Sequence, residues 1–436
     1  MEINTILPIT TIDAFDFQGE TVLLRLDINS PIDPETKKIV SDNRIRKSIP
    51  TIKKISDKGA RLAIIAHQGD TLDYQNLISL EEHAERLTEL LGKEVSYIDD
   101  VAGPAAREAI EDLKSGEIIL LGNLRYYTEE VSTFENAVKL NPEEMLQTYL
   151  VRNLAPLFDY YVNDAFAAAH RNAPSMVAFQ ELLPTAGGEL MVQEVAALQK
   201  VMENPVKPCV FVLGGAKISD AFGMMKQVLE NGTADRILTS GITGEIFLLA
   251  SGRQLGKTKE AFIKDKGLDS FIEEAREYLD QYADRIEMPL DLAFEKDSKR
   301  EEAMTKELPI DDAMFMDIGG KTIEHYATII DQAATIFVNG PAGVYEQALF
   351  VDGTKAMWEA IAKSRGYSVI GGGDTVSAAQ KFIDLSQINY VCTAGGAMVR
   401  FLSGIKMPLM QAMEKAHQKQ LAAVSWSERN KLGNIG

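Results

Sequence analysis

The sequence predicts an α/β protein built from two Rossmann-like, three-layer domains with mostly parallel sheets, joined by a linking helix and separated by a cleft. Short β-branched runs alternate with helical patterns through both halves of the chain, which is typical of βαβ units. At 436 residues the chain is long enough for two domains of ordinary size. One amphipathic helix between chain-breaking residues divides the two halves.

The composition argues against several classes of protein. An apolar fraction of 45% and a charged fraction of 25% are those of a globular protein. The net charge of −19 disfavours a general nucleic-acid binder, although a few local arginines can still form an anion site. No apolar run approaches the length of a membrane span, and Met1–Gly19 lacks the regions of a secretory signal, so we expect a cytoplasmic protein. Cys209 and Cys392 stand in apolar runs, which predicts buried thiols and not a disulfide or a metal site.

The first half contains four predicted strands, each followed by polar residues. The predicted strands are Thr21–Leu26, Arg61–Ala66, Glu117–Leu121 and Tyr160–Asn163. The first is followed by a loop and a helix that runs from Asp42 to Gly59. The polar residues that follow the strands, or begin that helix, are Asp27, Asn29, Arg44, His67, Arg125, His170 and Arg171. The carboxyl ends of parallel strands line the ligand crevice, so we expect these side chains to converge.

The polar residues of the first half predict an anion-binding basin. Each has a simpler explanation alone, because an arginine after a strand is usually solvated, a lone histidine is usually structural, and an Asp or Asn often caps a turn. Together they favour anion binding, because the planar guanidinium holds carboxylate and phosphate oxygens two at a time.

The linking helix lies between two sets of breakers. Pro184-Thr-Ala-Gly-Gly188 precedes it, and Asn204-Pro205 ends it. Met191, Val195, Leu198 and Met202 form its apolar stripe. We therefore divide the chain into residues 1–185, an N-terminal domain, 186–204, the linking helix, 205–405, a C-terminal domain, and 406–436, a C-terminal segment.

Glycine-rich turns after apolar runs dominate the second half. Ser368-Val-Ile-Gly-Gly-Gly-Asp-Thr375 predicts a strand, a tight turn and a helix whose first N–H groups can bind an anion. Val210-Phe-Val-Leu-Gly-Gly-Ala-Lys217 and Tyr390-Val-Cys-Thr-Ala-Gly-Gly-Ala-Met398 have the same pattern, and Ile336-Phe-Val-Asn-Gly-Pro-Ala-Gly343 is a close variant. One such turn is common in α/β proteins, but four indicate a phosphate-rich ligand. Between them, Lys257–Arg300 is charged and predicts solvated helices.

An arginine-rich basin in one half and phosphate cradles in the other suit phosphoryl transfer between a nucleotide and a small anion, with the halves closing to expel water. The chain has no Walker sequence and no HRD or DFG signature, so it belongs to neither of those kinase classes.

Motifs in both halves of the chain resemble those of a known family. Leu23-Leu-Arg-Leu-Asp-Ile-Asn-Ser-Pro31, Asp42-Asn-Arg-Ile-Arg46, Leu121-Gly-Asn-Leu-Arg125, Val162-Asn-Asp-Ala-Phe166 with His170-Arg171, Gly214-Gly-Ala-Lys217, Val338-Asn-Gly-Pro341 with Glu346, and Gly371-Gly-Gly-Asp374 are similar to those of phosphoglycerate kinases, with the archaeal branch the closer match. The resemblance runs from about Thr21 to Pro408.

The resemblance implies reversible phosphoryl transfer between 1,3-bisphosphoglycerate with ADP and 3-phosphoglycerate with ATP, in glycolysis and gluconeogenesis, with Mg²⁺. It implies that the N-terminal domain binds phosphoglycerate through Asp27, Asn29, Arg44, His67, Arg125, His170 and Arg171. It implies that the C-terminal domain binds the nucleotide through Gly214, Gly215, Lys217, Asn339, Pro341, Glu346, Gly371, Gly372, Gly373, Asp374 and Thr375.

Within these sets, Arg44 and Lys217 are the expected catalytic residues, Glu346 would hold the ribose and Asp374 the metal. The helix N-terminus at Gly395 and Gly396 would stabilise phosphate charge, and residues 406–436 would pack back toward the N-terminal domain. A carboxylate acceptor, with a pKa of roughly 4, is already ionised at neutral pH and needs no general base, so His67 and His170 are expected to orient substrate.

Several positions depart from the family pattern. Asp70 replaces a substrate-binding arginine, Ala221 a second lysine, and Ser240-Gly241-Ile242 a triple glycine. Ala394 and Gly320 replace a glycine and a proline. We expect Asp70 to face away from the substrate, with the remaining arginines holding it.

Three functions therefore stay open on the sequence. The first is an active phosphoglycerate kinase, the second a catalytically silent nucleotide-binding relative, and the third a kinase for another small carboxylate. We expect no nucleic-acid or membrane partner and a monomer, with a homodimer as the alternative.

Overall fold

The computed structural model of the protein describes residues 9–70 and 74–433, without the side chains of residues 74 and 424–433. The chain forms two compact units. The first comprises Met1–Ala196 and Lys406–Gly436, and the second comprises Ala197–Ile405. No helix of the two described stretches combines the length and apolarity needed to cross a bilayer.

The first unit is built on a six-stranded parallel sheet of order β3-β4-β2-β1-β5-β6. Its strands are β1 (Thr21–Leu26), β2 (Arg61–Ile65), β3 (Ser96–Tyr97), β4 (Ile118–Leu120), β5 (Tyr160–Asp164) and β6 (Thr185–Gly187). Its helices are α1 (Asn43–Ser56), α2 (Glu81–Leu91), α3 (Pro104–Glu111), α4 (Ser132–Val138), α5 (Pro142–Met145), α6 (Tyr149–Leu154) and α7 (Pro174–Val177), and α8 (Glu189–Met202) crosses into the second unit.

The core of the first unit lies between the sheet and its helices. All six residues of β1 are buried, because β1 is a central strand with β2 on one side and β5 on the other. Helix α1 turns a stripe that includes Ile45, Ile52 and Ile55 toward this core, and its other face is charged.

The second unit contains a six-stranded parallel sheet of order β15-β14-β13-β7-β8-β9 and a three-stranded antiparallel sheet of order β11-β10-β12. Its strands are β7 (Cys209–Leu213), β8 (Arg236–Thr239), β9 (Ile286–Glu287), β10 (Asp291–Lys296), β11 (Lys299–Met304), β12 (Phe315–Ile318), β13 (Thr335–Asn339), β14 (Tyr367–Gly371) and β15 (Tyr390–Cys392). Its helices are α9 (Ile218–Glu230), α10 (Gly241–Ala250), α11 (Lys257–Asp265), α12 (Ile272–Tyr282), α13 (Gly320–Gln332), α14 (Asp352–Lys363), α15 (Gly373–Phe382) and α16 (Gly395–Leu402).

Helix α17 (Pro408–Gly433) returns to the first unit. The Leu409 N–H donates to the carbonyl of Ala169 at 3.2 Å. Lys415 lies 2.8 Å from a carboxylate oxygen of Glu181 and Lys419 lies 2.6 Å from the other, and only 8% of the Glu181 side chain is exposed. The last three residues of the predicted C-terminal segment lie outside the described residues.

The predicted α/β fold with mostly parallel sheets is confirmed, and both cysteines are buried thiols as expected. One prediction is wrong in part: Lys257–Arg300 is not only a layer of solvated helices. It also contains β9, β10 and the start of β11, and the side chain of Lys259 is buried. β10 has only three consecutive apolar residues, Leu292–Phe294, which is too short a run to stand out among charged neighbours, and the strand is formed by pairing with β11 and β12.

Candidate functional site

Both parallel sheets have a point where the strand order reverses. In the first unit the chain passes from β1 to β2 on one side and from β5 to β6 on the other, so this point lies between β1 and β5. In the second unit it lies between β7 and β13. Ligands of open α/β sheets bind at such points, outside the carboxyl ends of the strands. Some predicted site residues follow these four strands, others follow β2, β4, β14 and β15 in the same two sheets, and Arg44 lies in α1.

Asp27, Asn29 and Arg44 form a hydrogen-bonded group beside the end of β1. Nη1 of Arg44 donates to Oδ2 of Asp27 at 2.7 Å, and Asp27 is buried while 38% of the Arg44 side chain is exposed. Oδ1 of Asn29 accepts a hydrogen bond from the N–H of Gly69 at 3.1 Å. The group therefore joins the loops after β1 and β2 and leaves the Arg44 guanidinium partly open to solvent.

His67, Arg125 and Arg171 line a small cavity together with Arg25 and Glu130. Burial lowers the pKa of His67 well below its usual range, and the arginines near it add to that effect. Burial, then the charges of Arg171 and Arg25, lowers the pKa of Arg125 to about 10. At neutral pH the cavity therefore carries positive charge from arginine and a neutral imidazole.

Two predicted residues are less open than expected. Nε of Arg171 donates to Oε2 of Glu135 at 2.7 Å, and both side chains are largely buried. His170 is half-buried, and it is not among the described residues that line the small cavity.

Asp70 is exposed, but its charge acts on Arg125 and opposes the lowering of that arginine's pKa. That Asp70 faces away from the substrate stays a prediction.

Arg25 is a residue of this cluster that the sequence reasoning missed. It lies inside β1, is 3% exposed, and donates from Nη2 to Nδ1 of His67 at 2.9 Å. The sequence did contain a signal for this residue. Arg25 is the one charged residue of β1, whose other five residues are apolar or hydroxyl-bearing, and a charged side chain buried in such a strand requires partners.

In the second unit the predicted nucleotide residues line one cavity of about 700 Å³, which lies within the size range of small-molecule sites. The predicted residues in its lining are Gly214, Gly215, Lys217, Asn339, Pro341, Glu346, Gly372, Gly373, Asp374, Thr375, Gly395 and Gly396. Gly371 is absent from the described lining, but its carbonyl accepts a hydrogen bond from Nδ2 of Asn339 at 2.9 Å and so fixes that side chain.

The turns after β7 and β13 are interlocked. The Gly214 N–H donates to the carbonyl of Asn339 at 3.0 Å, and the Gly215 N–H donates to the carbonyl of Pro341 at 2.8 Å. Gly340 has a φ of 91°, and a Cβ there would lie 2.2 Å from the carbonyl oxygen of Gly214. Glycine is therefore required at this crossing. The turn after β13 leads into a loop, unlike the other three glycine-rich turns, which lead into α9, α15 and α16.

Two helices begin side by side at the cavity. Helix α15 follows Gly372, and α16 follows Ala394; neither has a side-chain hydrogen bond at its N-cap. A Cβ on Gly395 would lie 3.2 Å from Cα of Gly372, so the two N-termini are in contact. First-turn N–H groups without intrahelical partners, combined with the helix dipoles, favour an anion here.

Lys217 and Asp374 face each other in this cavity. Nζ of Lys217 lies 3.2 Å from Oδ2 of Asp374, and 68% and 70% of their side chains are exposed. An exposed pair of this kind is weak and easily rearranged when charged ligands enter. Among the described residues no three His, Cys, Asp or Glu side chains are grouped as a metal site. One carboxylate beside a phosphate cradle fits Mg²⁺, which protein sites typically hold with one or two carboxylates and substrate phosphates.

The cavity also contains a buried ion pair that the sequence did not predict. Nζ of Lys259 lies 2.8 Å from Oε1 of Glu245, and each side chain is 4% exposed. Lys259 also donates to the carbonyl of Phe315 at 2.6 Å. Both residues, with Phe262 and Tyr345, belong to the lining.

Some departures from the family pattern have a structural context. Ala221 is buried in α9. The hydroxyl of Ser240 lies against the first glycine turn, because a Cβ built on Gly214 would be 2.5 Å from its Oγ. Ala394 has a φ of −104°, which an alanine adopts without strain. Gly320 is the first residue of α13.

A family model and several known proteins match most of this chain. The family model described as phosphoglycerate kinase matches residues 12–405. A phosphoglycerate kinase of Methanobacterium bryantii is 43% identical over 413 residues, which cover 95% of this chain and 99% of that protein. One of Methanothermobacter thermautotrophicus is 44% identical over 406 residues, which cover 93% of this chain and 97% of that protein.

Solved structures give the same result. The crystal structure of phosphoglycerate kinase from Pyrococcus horikoshii OT3 is 38% identical, with a TM-score of 0.81, and the match covers 94% of this chain and all of that one (100%). The structure of phosphoglycerate kinase from Coxiella burnetii is 30% identical with a TM-score of 0.80, covering 94% and 99%. The chain therefore belongs to the phosphoglycerate kinase family, and its function is that of an ATP-binding glycolytic kinase.

Proposed function

We propose that the chain transfers a phosphoryl group reversibly between ATP and the carboxylate of 3-phosphoglycerate, forming ADP and 1,3-bisphosphoglycerate. The observation that carries this proposal is the cavity of the second unit, where two helix N-termini, the glycine turns and Lys217 meet. That arrangement supports phosphate binding by backbone N–H groups and one lysine.

On the acceptor side, Asp27, Asn29, Arg44, His67, Arg125, His170 and Arg171 would bind phosphoglycerate. Arg44 is partly exposed and held at one edge by Asp27, which leaves other donors of its planar fork for an anion. The acceptor carboxylate is ionised at neutral pH and needs no base, which agrees with the low pKa of His67. Catalysis would rest on alignment and on neutralising the charge of the transferring group.

On the donor side, the glycine turns, Asn339, Pro341, Glu346 and Thr375 would hold the nucleotide, with Glu346 at the ribose. Lys217 and the N-termini of α15 and α16 would neutralise phosphate charge. Asp374 is the carboxylate available to Mg²⁺, and the ion would supply further charge neutralisation on the phosphates when bound.

The test is ADP release in the presence of ATP, Mg²⁺ and 3-phosphoglycerate, compared with a panel of other small carboxylates. We expect activity with 3-phosphoglycerate that falls roughly 100-fold or more in Lys217→Ala and in Arg44→Ala, as for loss of a group that stabilises transition-state charge. Two matched controls are Lys226→Ala on α9, the helix that follows Lys217, and Arg46→Ala on α1, the helix that contains Arg44; both lie at exposed positions and should keep the activity.

Nucleotide binding without turnover would instead support a catalytically silent relative, and turnover with a different carboxylate alone would change the acceptor. We further propose a cytoplasmic monomer, with a homodimer as the alternative, and no nucleic-acid or membrane partner. Light scattering on the full chain measures the oligomeric state.

A further inference from the structure

Arg25 is held in one orientation by partners on several elements. Its Nη2 donates to Nδ1 of His67 at 2.9 Å, its Nε donates to Oγ of Ser175 at 3.2 Å, and Nη1 donates to the carbonyl of Leu26. A guanidinium has donors only, and it keeps its proton in proteins. Arg25 can therefore contact His67 only as a donor.

The charge of Arg25 is balanced inside the unit. Ser175 donates from Oγ to Oε2 of Glu130 at 2.6 Å and from its N–H to Oε1 at 2.7 Å. Glu130 is 4% exposed, and its charge favours the protonated form of Arg25. The arginine, the hydroxyl and the carboxylate form a connected network, and connected buried networks fix side-chain orientation.

This contact determines the state of the His67 imidazole. Because Nη2 of Arg25 donates, Nδ1 of His67 must present a lone pair, and the single proton of the neutral ring is then on Nε2. A second proton on Nδ1 would place two donors and two positive charges against each other. Nε2 is the ring nitrogen that remains for a ligand.

The other charges around His67 act in the same direction. The arginines that act on it are Arg25, Arg44, Arg125 and Arg171. The acids within reach of this cluster are Asp27, Asp70, Glu130 and Glu135, the last of which pairs with Arg171. Burial is the largest cause that lowers the pKa of His67, and the four arginines add to it.

We propose that Arg25 is a positioning residue that holds His67 as the neutral imidazole protonated at Nε2, so that His67 binds phosphoglycerate as a hydrogen-bond donor whose state is constant across the neutral pH range. The inference rests on the proposed role of His67 in holding phosphoglycerate. It assigns a function to Arg25, which is buried inside β1.

The first experiment measures the tautomer in the unmodified protein. The chain has five histidines, so the ¹⁵N signals of His67 in labelled protein are assigned by their loss in His67→Gln. We expect a protonated Nε2 and an unprotonated Nδ1, unchanged from about pH 5.5 to about pH 8.5. A proton on Nδ1, or a titration within that range, would overturn the proposal.

The second experiment measures the KM for 3-phosphoglycerate at about pH 6 and about pH 8 in Arg25→Gln, divided by the wild-type KM at the same pH. The division removes the ionisation of the substrate's own phosphate, whose second pKa is about 6. Loss of Arg25 removes the largest of the arginine charges that lower the pKa of His67, while burial and three arginines remain, so that pKa rises toward the assay range. A larger protonated fraction at the lower pH binds the anion as a charged donor, so we expect the KM ratio to be smaller at pH 6 than at pH 8.

The controls separate the possible failures. An arginine that only supports the fold would change the KM by the same factor at both pH values, which contradicts the proposal. Arg61→Gln, in the neighbouring strand β2, should leave the ratio near one at both. If His67→Gln does not change the KM, the proposed role of His67 is wrong, while the tautomer measurement still tests the contact with Arg25. The same measurement decides the matter if Arg25→Gln does not fold.

Discussion

Removing one partner of the buried pair formed by Glu245 and Lys259 should destabilise the second unit strongly. The two side chains are each 4% exposed and 2.8 Å apart, so Lys259→Met leaves a buried carboxylate without its counterion. Breaking a buried pair in this way costs about 3–5 kcal/mol of unfolding free energy. Replacing both partners, in Glu245→Leu with Lys259→Met, should be close to neutral, because the desolvation cost of both charges is removed as well.

The assay is urea unfolding followed by the fluorescence of Trp358, which is buried in the second unit. The chain has two tryptophans, so all variants carry Trp426→Phe to make Trp358 the only tryptophan, and excitation is selective for tryptophan over tyrosine. A reporter confined to one unit is needed because a chain of two units need not unfold in one step. The exposed pair of Lys257 and Asp311 supplies the control, and Lys257→Met should hardly move the midpoint.

The loss of unfolding free energy in Lys259→Met should also depend on pH. Burial raises the pKa of Glu245, and Lys259 opposes that rise. Without Lys259 the folded-state pKa rises further, so the carboxyl group can take up a proton, and stability is lost as the pH rises through that value. The loss in Lys259→Met should therefore be smaller at about pH 5 than at about pH 8. Equal losses in the single and double variants would refute the assignment of the energy to this pair.

Three further predictions concern other parts of the molecule. Burial raises the pKa of Asp164 to about 6 from its usual 3.8, so its stabilising contribution is lost as the pH rises through about 6; relative to Asp164→Asn, the wild type should lose about 2 kcal/mol of unfolding free energy between about pH 4 and about pH 8, measured by urea unfolding. Gly340→Ala should weaken ADP binding in calorimetry, because its Cβ would lie 2.2 Å from the Gly214 carbonyl oxygen, whereas Gly232→Ala, at a φ of 72° with no atom within 4 Å, should not. Asp70 is exposed and therefore screened by solvent, so Asp70→Arg should lower the KM for 3-phosphoglycerate by less than about tenfold in steady-state assays; a larger drop would mean that the site lacks a needed cation.

The cluster around His67 explains how a chain with a net charge of −19 can offer a site for an anion. Arginines from separate elements are brought to one end of the first sheet, where burial strengthens their effect on one another, as the lowered pKa of Arg125 shows. The field at a site depends on these few groups, while the surplus of acidic residues lies mainly on the surface.

Local sequence was sufficient to predict strands made almost entirely of aliphatic or β-branched residues and turns that require glycine. The predicted strand Thr21–Leu26 matches β1 at both ends, because five of its six residues are aliphatic or β-branched and Arg25 is the exception. The predicted strands differ from β2 and β5 by one residue at the carboxyl end and from β4 by one residue at each end, because the end of a strand depends on its ladder partners and not on its own residues alone. The glycine turns were recognisable because a positive φ, as at Gly372, restricts the residue type strongly.

The strands, the turns and the residue types that could bind anions were predictable from local sequence, since each depends on backbone preference or on the chemistry of one side chain. Which charged side chains are buried, and with whom they pair, follows from how the elements pack in three dimensions. Glu245 with Lys259, and Arg25 with His67, are separated by 14 and 42 residues, and their partnership depends on which elements cover them. The free energy of a charge is set by its surroundings in space, and a pattern read along the chain does not contain those surroundings.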